Sequence, residues 1–120
     1  MKHSDQAVEN HKQFMSCSAA VLRAFSADAG LSEQAAAQLA APMAGGRMGT
    51  CGAVRAAQEV LIRKYGENDP RAAELERRFR EKNRSSQCRE IKGGLDGTVL
   101  RSCRGCVEDA AALLEELLNA

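Results

Sequence analysis

Cys103, Val107, Ala110, Leu114 and Leu117 step along the chain by four, three, four and three. That is the spacing of one face of an α-helix, and a run this regular has to bury that face against other helices. The spacing recurs elsewhere. Phe14, Cys17, Val21 and Phe25 form an inward stripe on a predicted first helix over about residues 5–29, ended by Gly30. Cys51, Val54, Ala57, Leu61 and Tyr65 share one face of a third helix, which Thr50 can cap and Gly66 stops. Alanine is abundant, β-branched residues are sparse, and no strand-like alternation persists. The chain therefore reads as all-α: a single-domain helical bundle of about five helices spanning residues 1–120.

Local punctuation places the remaining elements. Ser32 is an N-cap for a second helix over about residues 33–41, with Glu33 in its first turn and Pro42 near its end. Residues 42–49 read as the most flexible loop. Asp69-Pro70 opens a fourth helix over residues 71–84, with a capping acid before proline at the first helical position. Its pairs Glu74/Arg78 and Glu76/Arg80 are spaced i,i+4, and only Ala72, Leu75 and Phe79 make an apolar stripe. Such a charge array reads as a solvated face before it reads as a partner surface. Residues 88–92 suggest a short helix ended by Gly93-Gly94, and Ser102 caps a final helix from Cys103 to about Leu118.

Composition narrows the function. There are 17 basic and 16 acidic residues in 120, a net charge of +1, so no basic field draws nucleic acid. One Tyr, three Phe and no Trp leave no platform for stacking bases. The stretch from Met1 to Gln6 has no apolar signal core, and no segment is apolar enough for a membrane span. The cytoplasm is the expected compartment, where stable structural disulfides are rare. A homodimer is compatible with the low aromatic content, but no face is singled out for it.

Five cysteines are then the informative residues, and their odd number forbids complete internal pairing. Cys51 follows the glycine-rich run Ala44-Gly45-Gly46-Arg47-Met48-Gly49-Thr50 and opens Cys51-Gly52-Ala53-Val54. A thiol at such a helix start meets backbone N–H groups and the positive end of the helix dipole, both of which favour thiolate. Cys17, in mid-helix on this reading, is either a small buried hydrophobe or a site thiol. Cys103-Arg104-Gly105-Cys106 is a CxxC at a helix start, with Arg101 and Arg104 placed to favour thiolate. It lacks the βαβ context of a thioredoxin-type motif and the second close pair of a structural zinc site. His3 and His11 have no second ligand spaced with them, and the glycine run lacks the Gly-Lys-Ser/Thr ending of a phosphate loop.

These residues together resemble the C_GCAxxG_C_C family of redox-active proteins. The resemblance runs over about residues 17–118. It is carried by Cys17-Ser18-Ala19-Ala20-Val21, by Met48-Gly49-Thr50-Cys51-Gly52-Ala53-Val54, by Leu61 through Tyr65-Gly66, by Cys88-Arg89, and by Cys103 with Val107, Ala110-Ala111 and Leu113-Leu114. It departs at Ala56, where the family has glycine, and at Cys106, where the family tends to an aromatic residue. The resemblance implies a small helical redox or electron-transfer protein with Cys17, Cys51, Cys88 and Cys103 as its centre, and Cys106 as an extra thiol. Gly49, Thr50, Gly52 and Ala53 would be cofactor-binding residues that shape its approach.

What four such thiols hold stays open at this point. They suit an iron–sulfur cluster, tetrahedral zinc, or no metal and reversible disulfides in which Cys51 is the nucleophile. Ligands scattered over several helices favour metal or cluster ligation slightly over disulfide exchange. The alternatives outside redox chemistry are a zinc-stabilised adaptor that binds a partner through residues 71–84, and a plain bundle whose cysteines only pack. The electron donor and acceptor are unnamed by the sequence.

Overall fold

Phe14 breaks the first helix. In the computed structural model, which describes residues 2–119, its φ is +71° and its side chain is 98% exposed. Met1 and Ala120 lie outside the described residues. The expected single helix is therefore two, α1 (His3–Lys12) and α2 (Cys17–Ala24). Phe14 leaves the inward stripe, whereas Cys17, Val21 and Phe25 keep it. The cause is local. The Phe14 and Met15 amides turn back to the carbonyls of His11 and Asn10, and the Ser16 hydroxyl accepts the Ala19 N–H at 3.2 Å, capping a new helix. The buried Asn10 amide then donates to the Ala20 carbonyl at 3.1 Å and ties the two helices together.

The other elements follow their punctuation closely. Ser32 caps α3 (Glu33–Ala40) by accepting the Ala35 N–H. The expected open loop after it is instead a 3₁₀ turn over Ala41–Gly46 that buries Met43. Gly45 and Gly46 then bend the chain at φ +64° and +73°, values that favour glycine. Thr50 does not cap α4 (Gly52–Tyr65). It pairs in an isolated antiparallel bridge with Gln87, which leaves Cys51 in the cap position.

In α5 (Arg71–Asn83) Leu75 and Phe79 are buried and the charged face is turned outward. Glu74 and Arg78 pair at 2.6 Å as expected. Glu76 does not pair with Arg80; its carboxylate accepts the Ser86 hydroxyl at 2.6 Å. A helical turn opens at Cys88 and widens into a π turn over Glu90–Gly94, closed by Gly93 at φ +113°. Ser102 caps α6 (Cys103–Leu118) by accepting the Gly105 N–H at 2.9 Å.

The result is an all-α bundle of six α-helices among the described residues. α4 packs against α2, α5 and α6, while α1 covers α2 and α6. Val54, Val60, Val107, Ala110 and Leu114 are fully buried at the centre. Among the described residues no helix is long and apolar enough to cross a membrane.

Candidate functional site

Cys17 is the first residue of α2, Cys51 caps α4, Cys88 opens the turn before the π segment, and Cys103 is the first residue of α6. The break at Phe14 thus moves Cys17 from mid-helix to a helix start behind the Ser16 cap. All of these helix starts converge. Cys17, Cys51, Cys88 and Cys103 line one cavity of about 40 Å³, together with Cys106, Gly45, Gly52, Ile91 and Lys92. Cys106, read from the sequence as an extra thiol, lines this cavity with the other cysteines. Cys17, Cys51 and Cys106 are buried, Cys88 and Cys103 half-buried, and all are free thiols.

Missing side chains make this convergence possible. A Cβ on Gly52 would lie 2.6 Å from the Cys17 sulfur and 2.7 Å from the Met43 carbonyl oxygen. One on Gly46 would collide with the Cys88 Cβ, and one on Gly105 with the Arg101 guanidinium. The Thr50–Gln87 bridge supplies the other constraint. Cys51 donates its N–H to Ser86 at 2.7 Å, and Cys88 donates its N–H to Gly49 at 3.1 Å. Side chains alternate across such a pairing, so Cys51 and Cys88 leave it on the same side. Of the residues expected to shape a cofactor approach, Gly52 lines the thiol cavity and Gly49 an adjoining cleft. Thr50 is held in the bridge, and Ala53 is buried in the core.

The thiols perturb one another in pairs. The Cys103 thiol donates toward Cys17 and is the main reason that Cys17 is lowered to about 6; burial opposes this, and the Gly45 and Ser18 amides and Lys92 assist. The Cys106 thiol does the same for Cys51, which is lowered against its burial with help from the Val54 and Ala53 amides. Cys103 and Cys106 are correspondingly raised, because each donates its proton to a neighbour that carries the charge, and burial adds to this. Burial raises Cys88, followed by the negative charge of Cys51. In each pair the charge is therefore favoured on one sulfur, Cys17 or Cys51, over its neighbour.

The cation at the thiols is Lys92, which sequence reasoning passed over. Of Arg101 and Arg104, expected in that role, Arg101 senses the Cys106 charge only after its acidic partners, and both are bonded elsewhere. Arg101 donates to the buried carboxylate of Asp109 at 3.1 Å and pairs with Glu108 at 3.5 Å. Arg104 donates to His11 Nδ1 at 3.3 Å. His3 is bonded to Asp28 at 2.8 Å, and neither histidine lines the cavity. Among the described residues no group of three or more His, Cys, Asp or Glu side chains is drawn together closely enough to hold a metal ion.

A family model described as "Putative redox-active protein (C_GCAxxG_C_C)" matches residues 15–117, most of the chain. The chain belongs to the C_GCAxxG_C_C family. No curated protein and no solved structure matches it. Within the C_GCAxxG_C_C pattern, Ala56 replaces a glycine, and the structure places its methyl group in the core, away from the cavity lining. Cys106 lies outside the pattern cysteines of the C_GCAxxG_C_C family, yet it is the thiol that faces Cys51.

Proposed function

We propose that this redox-active protein carries electrons by reversible thiol–disulfide chemistry, with Cys17/Cys103 and Cys51/Cys106 as its working pairs. The observation that carries this reading is the shared cavity that all five free thiols line, within which Cys103 lowers Cys17 and Cys106 lowers Cys51. Oxidation of a pair forms one S–S bond and delivers two electrons and two protons to an acceptor; reduction by an external dithiol reverses it. No substrate turnover is needed for such a carrier, and its donor and acceptor are redox proteins or small thiols.

A second reading rests on a different observation. Sulfurs from separate elements line the same cavity, Cys17 and Cys51 near backbone amides, and four thiolates are a donor set for an iron–sulfur cluster or zinc once drawn in around it. Cys17, Cys51, Cys88 and Cys103 would be the ligands. The adaptor reading has less support, because the guanidinium of Arg77 is already paired with Glu74 and Glu81, and that of Arg78 with Glu74.

The test is purification without oxygen, followed by metal analysis and thiol counting. Disulfide chemistry predicts no stoichiometric metal, four thiols lost on mild oxidation, and peptides cross-linked as Cys17–Cys103 and Cys51–Cys106. Iron with sulfide and a broad visible absorption, or about one zinc per chain, would replace this reading with the second.

A further inference from the structure

A larger cleft of about 610 Å³ adjoins the thiol cavity, lined by Gly45, Gly46, Arg47, Gly49, Gln87, Cys88, Arg89 and Glu90. Its volume is in the range of about 300–1,000 Å³ typical of small-molecule sites. Gly45 and Cys88 line both spaces, so Cys88 is the cysteine through which the cleft meets the buried thiols. The cleft carries two exposed guanidiniums, Arg47 and Arg89, against a single carboxylate. That carboxylate, Glu90, is already accepting the Ser85 hydroxyl at 2.5 Å. The balance favours a ligand with carboxylates, since guanidinium groups bind them in a bidentate fashion.

We propose that this cleft admits a small anionic disulfide of the peptide type, such as a disulfide of a carboxylate-bearing cysteinyl peptide, and that Cys88 is the sulfur that exchanges with it. The inference rests on the thiol–disulfide reading above. In the first step the Cys88 thiol, which burial keeps mostly protonated, gives its proton to solvent and its thiolate fraction attacks one sulfur of the disulfide. The Cys88–S bond forms, the external S–S bond breaks, and one thiolate leaves and takes up a proton. Cys51 then attacks the Cys88 sulfur, which expels the second external thiolate and leaves a Cys51–Cys88 disulfide. Two protein thiols are oxidised and one external disulfide is reduced to two thiols. Cys51 is the resolving sulfur because the Thr50–Gln87 bridge holds it on the same side as Cys88. Cys106, whose thiol bonds to Cys51, then attacks the Cys51 sulfur as thiolate; the Cys51–Cys88 bond breaks, Cys88 leaves and takes up a proton, and the two-electron oxidation is held in the interior as a Cys51–Cys106 disulfide.

The probe is oxidised glutathione, mixed with the fully reduced, full-length protein and followed by glutathione release and intact mass. Wild type should release two glutathiones for each protein disulfide formed, and C51S should accumulate one glutathione on Cys88. C88S, shown folded by circular dichroism, should release glutathione at least tenfold more slowly. R47E/R89E should lose at least tenfold in rate with oxidised glutathione relative to the uncharged disulfide of 2-mercaptoethanol. An adduct on another cysteine, full rate in C88S, or an unchanged charged-to-neutral ratio in R47E/R89E would overturn the proposal. Wild type that is oxidised by diamide yet inert to glutathione disulfide would overturn it alone. Wild type inert to both reagents would overturn the thiol–disulfide reading itself.

Discussion

Gly52 and Cys17 touch through an absent side chain: a Cβ on the glycine would stand 2.6 Å from the cysteine sulfur. The first turn of α4 is thereby open to a sulfur arriving from α2, and the Cys-Gly-Ala order of the sequence has a steric reason. The same Cβ would lie 2.7 Å from the Met43 carbonyl oxygen, which is backbone and cannot swing away. Gly52→Ala should therefore destabilise the fold by about 1–3 kcal/mol, the usual range for overpacking. Urea unfolding measures this, and alkylation of Cys17 in the folded variant should show the sulfur displaced from the cavity.

The Cys17/Cys103 pair sets a titration. Cys17 is lowered to about 6, with the Cys103 thiol as the largest cause. The thiolate is the charged form, so a thiolate absorbance step should appear as pH rises through about 6, well below the usual cysteine value of about 8.5. Cys103→Ala removes the donor and should move that step upward; Cys103→Ser keeps an O–H donor and should restore part of the shift. Ultraviolet absorbance of the reduced protein against pH reads both.

Lys92 lowers Cys17, Cys88, Cys103 and Cys106 by its charge alone. Lys92→Glu should raise the Cys17 step, and 0.5 M salt should shrink the difference between variant and wild type, because an exposed charge is screened. Titration of both proteins at low and high salt checks this. A difference indifferent to salt would mean that Lys92 acts by packing.

Asp109 is the buried anion of α6. Its carboxylate accepts from Asn83 at 3.2 Å and pairs with Lys82 and Arg101, both at 3.1 Å. Asp109→Ala leaves two cations and an amide without their acceptor and should cost about 3 kcal/mol, at the low end for breaking a buried pair because both cations reach solvent. It also frees Arg101, which packs where a Gly105 side chain would stand, so the start of α6 should loosen around Cys103. Urea unfolding and amide exchange at Gly105 and Cys106 measure the two effects.

Much of this arrangement is legible in the sequence. Ser32, Ser102 and Gly66 mark helix ends by local chemistry, and the stripe from Cys103 to Leu117 fixes a buried face. The break at Phe14 was not found because the helical spacing of Phe14, Cys17 and Val21 runs through it. The serine just before Cys17 was the available signal, since a hydroxyl there competes for the amides of a new helix start. The partnership of Cys106 with Cys51 depends on how α4 and α6 cross, which no local pattern encodes. Lys92 was missed for a similar reason: only the turn closed by Gly93 brings it over the cavity.

Cys17 and Cys103 lie near opposite ends of the chain, yet the fold brings them to one cavity. In the unfolded chain they would rarely meet. A bond between them closes a ring through most of the sequence and removes roughly 4–5 kcal/mol of chain entropy from the unfolded state. By thermodynamic linkage the folded protein holds that disulfide more tightly by the same amount, on the order of 100 mV in reduction potential. The shift in its reduction potential and the gap in stability between its oxidised and reduced forms would then be two readings of one equilibrium.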